Sequence, residues 1–463
     1  MLVNHKPVEK PVRTQAYAHW FPPTGHFASW ILILLITGHL FTPPTCSQAA
    51  EPGSQMNLQL AVEQAIVANL DLQSSRKEID AARANRSVQR SKLLPTLNAT
   101  YQAVRTDGAA GFTVGAAPSA GDTYTLGAGF TQPLFQGFAL VNQYKAAELG
   151  VNIAELDQKL IRLEVIFQTK QAYFNVLKAN RLLEVARNTV KVLKAQVEVA
   201  RNFYEVGMTP LNDLLQVQVQ LANARQSLIT AQNNLDTRES EFNVILRRPV
   251  NAPVNLVDIE AYESLEEELG YYLNMAEKNR LDIKAADLNI QIAEKEVDIA
   301  RKDYYPTLNL EGNIFKIAND WNLSDDESLF NPEGWSVTGT ASWNFWEWGR
   351  TKYNTSEKRS RLSQAKIGRN KTIDQARLEV EVSYLKAREA EKNILAVETA
   401  IEQAKENMRI TEERYKEQVA TSVDILVAEQ LLTTTQVNFY NALYDFKIAK
   451  AFLQKAVNME ILE

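Results

Sequence analysis

Glycine and proline are absent from Val151 to Val206, from Leu211 to Arg248 and from Arg369 to the C-terminus. These are the residues that most often interrupt regular structure. At about 1.5 Å per residue the first stretch alone makes a helix of roughly 84 Å, far longer than a globular domain is wide. Such a helix needs a partner along its length, and the apolar spacing supplies one. Ala172, Val176, Ala179, Leu183, Ala186, Val190, Leu193, Val197, Ala200 and Tyr204 recur at alternating steps of three and four, the seam of a coiled coil. Beyond a turn, Leu214, Val217, Leu221, Ala224, Leu228, Ala231 and Leu235 continue the pattern. The spacing predicts an antiparallel helical hairpin.

The same design occurs twice. The stretches YEVGMTPLNDLLQVQ, from Tyr204, and YKEQVATSVDILVAE, from Tyr415, lie 211 positions apart (415 − 204). That offset also carries Leu70-Asp71-Leu72 onto Leu281-Asp282-Ile283, Pro95-Thr96-Leu97-Asn98 onto Pro306-Thr307-Leu308-Asn309, and Tyr173 onto Tyr384. The second hairpin has its seam at Ile394, Val397, Ile401, Ala404, Met408, Thr411 and Tyr415, then at Ile425, Ala428, Leu432, Thr435 and Phe439. The chain therefore reads as a tandem duplication of units of about 190 residues. The first repeat is placed over 56–252, a linker over 253–265 and the second repeat over 266–458, with hairpin tips near 205–210 and 416–421.

Between the helices the period changes to two. Leu97, Ala99, Tyr101 and Ala103 alternate with Thr96, Asn98, Thr100 and Gln102, and three further segments behave alike. Strands are predicted at about 95–105, 123–135, 306–316 and 335–346, with aromatics toward their ends, the pattern of an outer-membrane barrel. A soluble sheet would need a core, and the flanking helices already use their apolar seams on each other. The joining loops, Thr106 to Asp122 and Ile317 to Glu333, are Gly/Ala-rich and acidic. Four strands cannot close a membrane barrel, whose smallest bacterial form has about eight, and open edges are not tolerated in lipid. The expected fold class is mainly α with a β-barrel part. Duplicated coiled-coil hairpins and four transmembrane strands per chain would close into a tube by oligomerisation, as a dimer or as a trimer.

The N-terminus carries Lys6, Lys10 and Arg13 before an apolar run from Ala28 to Phe41 and a small-residue site at Ser47-Gln48-Ala49, which reads as a signal peptide over 1–49. The apolar run is too short for a comfortable membrane anchor. Cys46 follows Pro43-Pro44-Thr45, which does not make an apolar lipidation site. All four histidines and the single cysteine fall in this leader. The expected mature chain thus has no imidazole and no thiol, which excludes Cys/His zinc sites, His-based triads and disulfides. No phosphate loop occurs, and no acid pair stands apart from helix-surface charge. A formal net charge of −6 argues against nucleic acid as a partner. Neither an enzyme nor a cofactor is expected.

KLLPTL and DYYPTL mark the helix-to-strand joints, PLFQG and FWEWG the strand-to-helix returns, and YEVGMTPLNDLL and YKEQVATSVDIL the tips. In that order, twice, they resemble the TolC-type outer-membrane efflux proteins over about residues 56–458. The resemblance implies a homotrimer with a twelve-stranded barrel in the outer-membrane lipid of a Gram-negative bacterium. It implies a periplasmic α-barrel closed by coiled helices, and partners in a periplasmic adaptor and an inner-membrane transporter. It makes Asp424, one per subunit, the pore constriction and places Tyr415 and Asp213 in the gate latch. Adaptor docking falls to the tips, at Val206, Gly207, Met208, Thr209, Pro210, Ala420 and Thr421.

Three carboxylates crowded in a pore would repel one another, raise at least one pKa and attract divalent cations. The residues alone also allow a plainer account. Asp424 in a first helical turn with Thr421 is a capping pair, and Tyr204 and Tyr415 continue their seams. Val427 and Ala420 stand where the best-known family members carry a second acid and an arginine, so a less acidic mouth is expected. Gly207 suits a left-handed turn and Thr209-Pro210 a helix start, whereas Glu417-Gln418 replaces the typical valine and glycine. The leading expectation is a passive efflux duct. The alternatives are the outer-membrane part of a type I protein secretion system and a periplasmic scaffold without a pore.

Overall fold

The computed structural model describes residues 55–106, 121–259, 261, 263–265, 267–318, 321–323 and 333–459. The expected leader with Cys46, and most of both strand-joining loops, lie outside them. Two short helices come first, α1 (Leu58–Ala68) and α2 (Leu70–Ser91). Asn57 and Asn69 start them, each side-chain oxygen accepting from the backbone N–H three residues on, at 2.8 and 3.0 Å. Strands β1 (Thr96–Thr106) and β2 (Gly121–Gln136) lead into a hairpin of α3 (Ala139–Glu205) and α4 (Leu211–Ile245). The order then repeats as α5 (Leu269–Asn279), α6 (Leu281–Ala300), β3 (Thr307–Ala318), β4 (Glu333–Ser342), α7 (Arg350–Lys416) and α8 (Ser422–Ala456).

Helices α3 and α7 have 67 residues each. They run straight through Gly150 and Gly368, beyond the breaker-free stretches of the sequence. A glycine inside a helix costs about 1 kcal/mol, whereas each fully buried Leu or Val returns about 1.5–3 kcal/mol, so the seam wins. Near the first tip Leu193, Val197 and Ala200 of α3 pack on Leu214, Val217 and Leu221 of α4. In the second hairpin Ile394 of α7 shares a core with Leu443 and Phe446 of α8. One seam assignment fails. Tyr204 is exposed, and Phe203 is the residue turned inward, its ring 5.6 Å from that of Tyr415. At its last turn α3 packs against the other hairpin, so a different face is buried.

The four strands form one antiparallel sheet in the order β1-β2-β3-β4, and the β2–β3 pair joins the two repeats. Directly paired residues share a face. Leu97, Phe130, Gly312 and Val337 make one row, and Ala99, Ala128, Ile314 and Trp335 the next. Between them, on the opposite face, runs Asn98, Gly129, Asn313 and Ser336. One side is apolar and outward, with Leu97 80% and Trp335 77% exposed. Within the chain, β1 and β4 each have one unpaired edge.

Strand β4 stops at Ser342 rather than near 346. Ser342 pairs with Thr307, and the next partner would be Pro306, which has no N–H to continue the ladder. The strand-to-helix returns are made by left-handed pairs, Gly137 with Phe138 (φ 57° and 63°) and Trp348 with Gly349 (φ 53° and 83°). Gly137 is also close-packed, since a Cβ there would lie 2.3 Å from the Lys302 carbonyl oxygen.

The segment between the repeats lies as a strap on α3 and α8. Met56 bridges Leu256 in parallel, its N–H donating to Asn255 at 2.9 Å while Val257 N–H donates back to Met56 at 3.0 Å. The buried Tyr173 hydroxyl donates to the Val257 carbonyl at 2.5 Å. Arg181 pairs with Asp258 at 2.7 Å, and Tyr444 donates to the same carboxylate at 2.8 Å. Lys447 donates to the carbonyls of Ile259 and Ala261, and buried Glu391 accepts from Leu265 N–H at 3.1 Å. Backbone polar groups that no sheet satisfies are thus met by side chains.

Candidate functional site

Both hairpin tips close with the same turn, although their sequences differ. After α3, Gly207 N–H donates to Tyr204 and Met208 N–H to Phe203, at 2.9 and 2.8 Å. After α7, Gln418 N–H donates to Tyr415 and Val419 N–H to Arg414, at 3.0 and 2.8 Å. This is the Schellman arrangement, and it needs a left-handed residue after the helix. Gly207 supplies it with φ 73°, and Gln418 takes it with φ 61°. Across the gap, Gln418 Nε2 donates to Met208 Sδ at 3.7 Å and ties the tips together.

Helix α8 begins with a reciprocal capping box. Thr421 Oγ1 accepts from Asp424 N–H at 3.2 Å, and Asp424 Oδ2 accepts from Thr421 N–H at 2.8 Å. The backbone bond first, and then the Thr421 hydroxyl, hold the exposed Asp424 carboxyl below the ordinary carboxylate value. In the single chain the shift is therefore opposite to that expected of three crowded copies. Tyr415 is buried, 4% exposed, and burial first and the charge of Asp213 second push its hydroxyl up. Among the described residues no hydrogen bond joins Tyr415 to Asp213, which acts on it as a charge. Ala420 contributes its N–H to the Arg414 carbonyl at 3.2 Å.

Two participants were not visible in the sequence. Phe203 sits one residue off the heptad seam, where periodicity gives no signal. Glu429, farther along α8, reads as an ordinary helix-surface acid, yet it is only 6% exposed and Thr433 Oγ1 donates to it at 3.2 Å. A threonine four residues on is the one clue the sequence offers.

Four strands with one apolar face and two open edges, continuous with two coiled-coil hairpins, define a class of chain: an outer-membrane barrel chain with a helical extension. The chain belongs to the outer membrane efflux protein family, whose model matches residues 61–246 and 272–459, once in each half. It is similar to the outer membrane protein TolC of Vibrio cholerae, 24% identical over 394 residues that cover 82% of this chain and 85% of that protein. It is similar also to the toxin and drug export protein A of Aggregatibacter actinomycetemcomitans, 22% identical over 84% of this chain and 83% of that one. Among solved structures, the CmeC outer membrane channel of Campylobacter jejuni superposes with a TM-score of 0.77 at 19% identity, covering 86% of this chain and 85% of that one. By their names, one of these relatives is an outer membrane protein, one an export protein and one an outer membrane channel.

Proposed function

We propose that the chain is the outer-membrane exit duct of a tripartite efflux system, conducting passively what an inner-membrane transporter and a periplasmic adaptor deliver. The observation that carries this reading is the sheet, whose apolar face suits lipid and whose open edges call for further copies. A trimer closes twelve strands. In this reading residues 1–49 are the export signal, and the chain has no catalytic role. The tips line the periplasmic mouth, with Asp424 as the constriction and Tyr415 and Asp213 beside it. Val206, Gly207, Met208, Thr209, Pro210, Ala420 and Thr421 are the surface offered to the adaptor. The name of one relative, a toxin and drug export protein, favours a second cargo class, so type I protein secretion is retained as the alternative.

The test is single-channel recording of the purified protein in a planar bilayer, comparing wild type with Asp424→Ala. A cation-selective conductance blocked by millimolar divalent cation in the wild type, and relieved of that block in the variant, is expected. A protein that leaves the envelope in high salt as a monomer and conducts nothing would overturn the duct.

A further inference from the structure

Between the two hairpins, behind the tips, lies a groove of about 980 Å³. Val185 and Leu193 of α3 line its floor, Leu215 and Val219 of α4 one wall, and Val423 and Val427 of α8 the other. The wall residues are between 48% and 63% exposed. The volume is that of a site for a drug-sized molecule, and the mix of apolar walls with a few polar groups is also typical. Amides such as Gln216 and Gln220 supply part of that polarity.

Its charge is singular. Of all the lining residues only Glu429 is ionisable. Glu429 is only 6% exposed as a residue, and its carboxyl rests on hydroxyls: Thr433 donates to it at 3.2 Å, and Thr433 stands 2.8 Å from Thr189 of α3. Burial holds this carboxyl above the ordinary glutamate value. An unpaired carboxylate at the edge of an apolar groove is electrostatically incomplete, because water that would solvate it is largely excluded. A cation carrying its own apolar surface would complete it and draw it toward the ionised form.

We infer that this groove is a binding site for lipophilic monocations, with Glu429 as counter-charge and the valine and leucine walls as the apolar contact. The site needs only the groove and does not depend on conduction. Asp424 is not among its lining residues, so the site is distinct from the capping box.

The experiment uses the purified full chain in detergent and two probes of equal shape and opposite charge, tetraphenylphosphonium and tetraphenylborate, titrated by equilibrium dialysis. Saturable phosphonium binding, at least about tenfold tighter than borate binding, is expected, since charge complementarity sets this preference. Glu429→Gln should bring the two affinities within about threefold by removing that charge. Val219→Trp, which fills the groove from its exposed wall, should weaken both. Equal binding of the two probes by wild type, an unchanged preference in Glu429→Gln, or indifference to Val219→Trp would each overturn the site. Oligomer dissociation on Val219→Trp would also overturn it, by making the groove a contact between copies. Conductance is recorded on the same preparations. A protein that conducts without charge-selective binding loses the site alone, whereas one that binds without conducting loses the duct and keeps the site.

Discussion

Gln418 adopts by constraint the conformation that Gly207 adopts freely. A left-handed backbone costs a residue with a Cβ about 1–2 kcal/mol, and glycine gives back part of that gain through the entropy of the unfolded chain. Gln418→Gly is therefore expected to stabilise the protein by about 0.5 kcal/mol, seen as a higher denaturation midpoint. A lower midpoint would show that the contact with Met208 outweighs the strain. The departure at this position was legible in the sequence, but its consequence was not. The two turn hydrogen bonds fix the angle whatever residue stands there. Asp424 was likewise legible as a helix cap, and the capping box is present. A role at a pore belongs to an arrangement of several chains, which no single residue's surroundings display.

At the scale of elements, the alternation of three and four residues announced both hairpins because a seam that long has one geometric solution. Periodicity failed where the partner changes, at Tyr204, and where a neighbour's proline ends a ladder, at Ser342. It was also silent about Lys170, a lysine in the middle of α3 that is only 4% exposed. Its ammonium donates to Gln454 of α8 at 3.3 Å. Burial first, and the charge of Lys450 second, push its pKa down to about 8 from the ordinary 10.5. Between those two values the unfolded chain binds more protons than the folded one, so this group's contribution to stability rises with pH across that window. Below it the buried cation is fully carried in both states and its cost is complete. Lys170→Met should consequently be more stable than wild type at neutral pH, and the difference should shrink as pH climbs from about 8 to 10.5. A difference that stays constant across that range in denaturation curves would refute the assignment.

For the whole molecule, the alternating strands indicated lipid on one face. The register puts Leu97, Phe130 and Val337, then Ala99, Ala128, Ile314 and Trp335, on one face, and the next row on that face, Tyr101 and Leu126, ends at Lys316 and Glu333. Such a sheet should leave the envelope only with detergent, resist high salt, and migrate as an oligomer that dissociates on heating. Release by salt would refute its place in the membrane. What the sequence could not display is how the repeats interlock, because the β2–β3 pairing and the strap both join residues far apart in the chain. The bridge between Met56 and Leu256 sets an order of events for a chain delivered from its N-terminus. Helix α1 packs on α3 within the first repeat, but the bridge just ahead of it cannot form until the residues around Leu256 have arrived, so a loop of about 200 residues must close first. The closing of that long loop is therefore a late step for the first repeat, after its hairpin has been delivered.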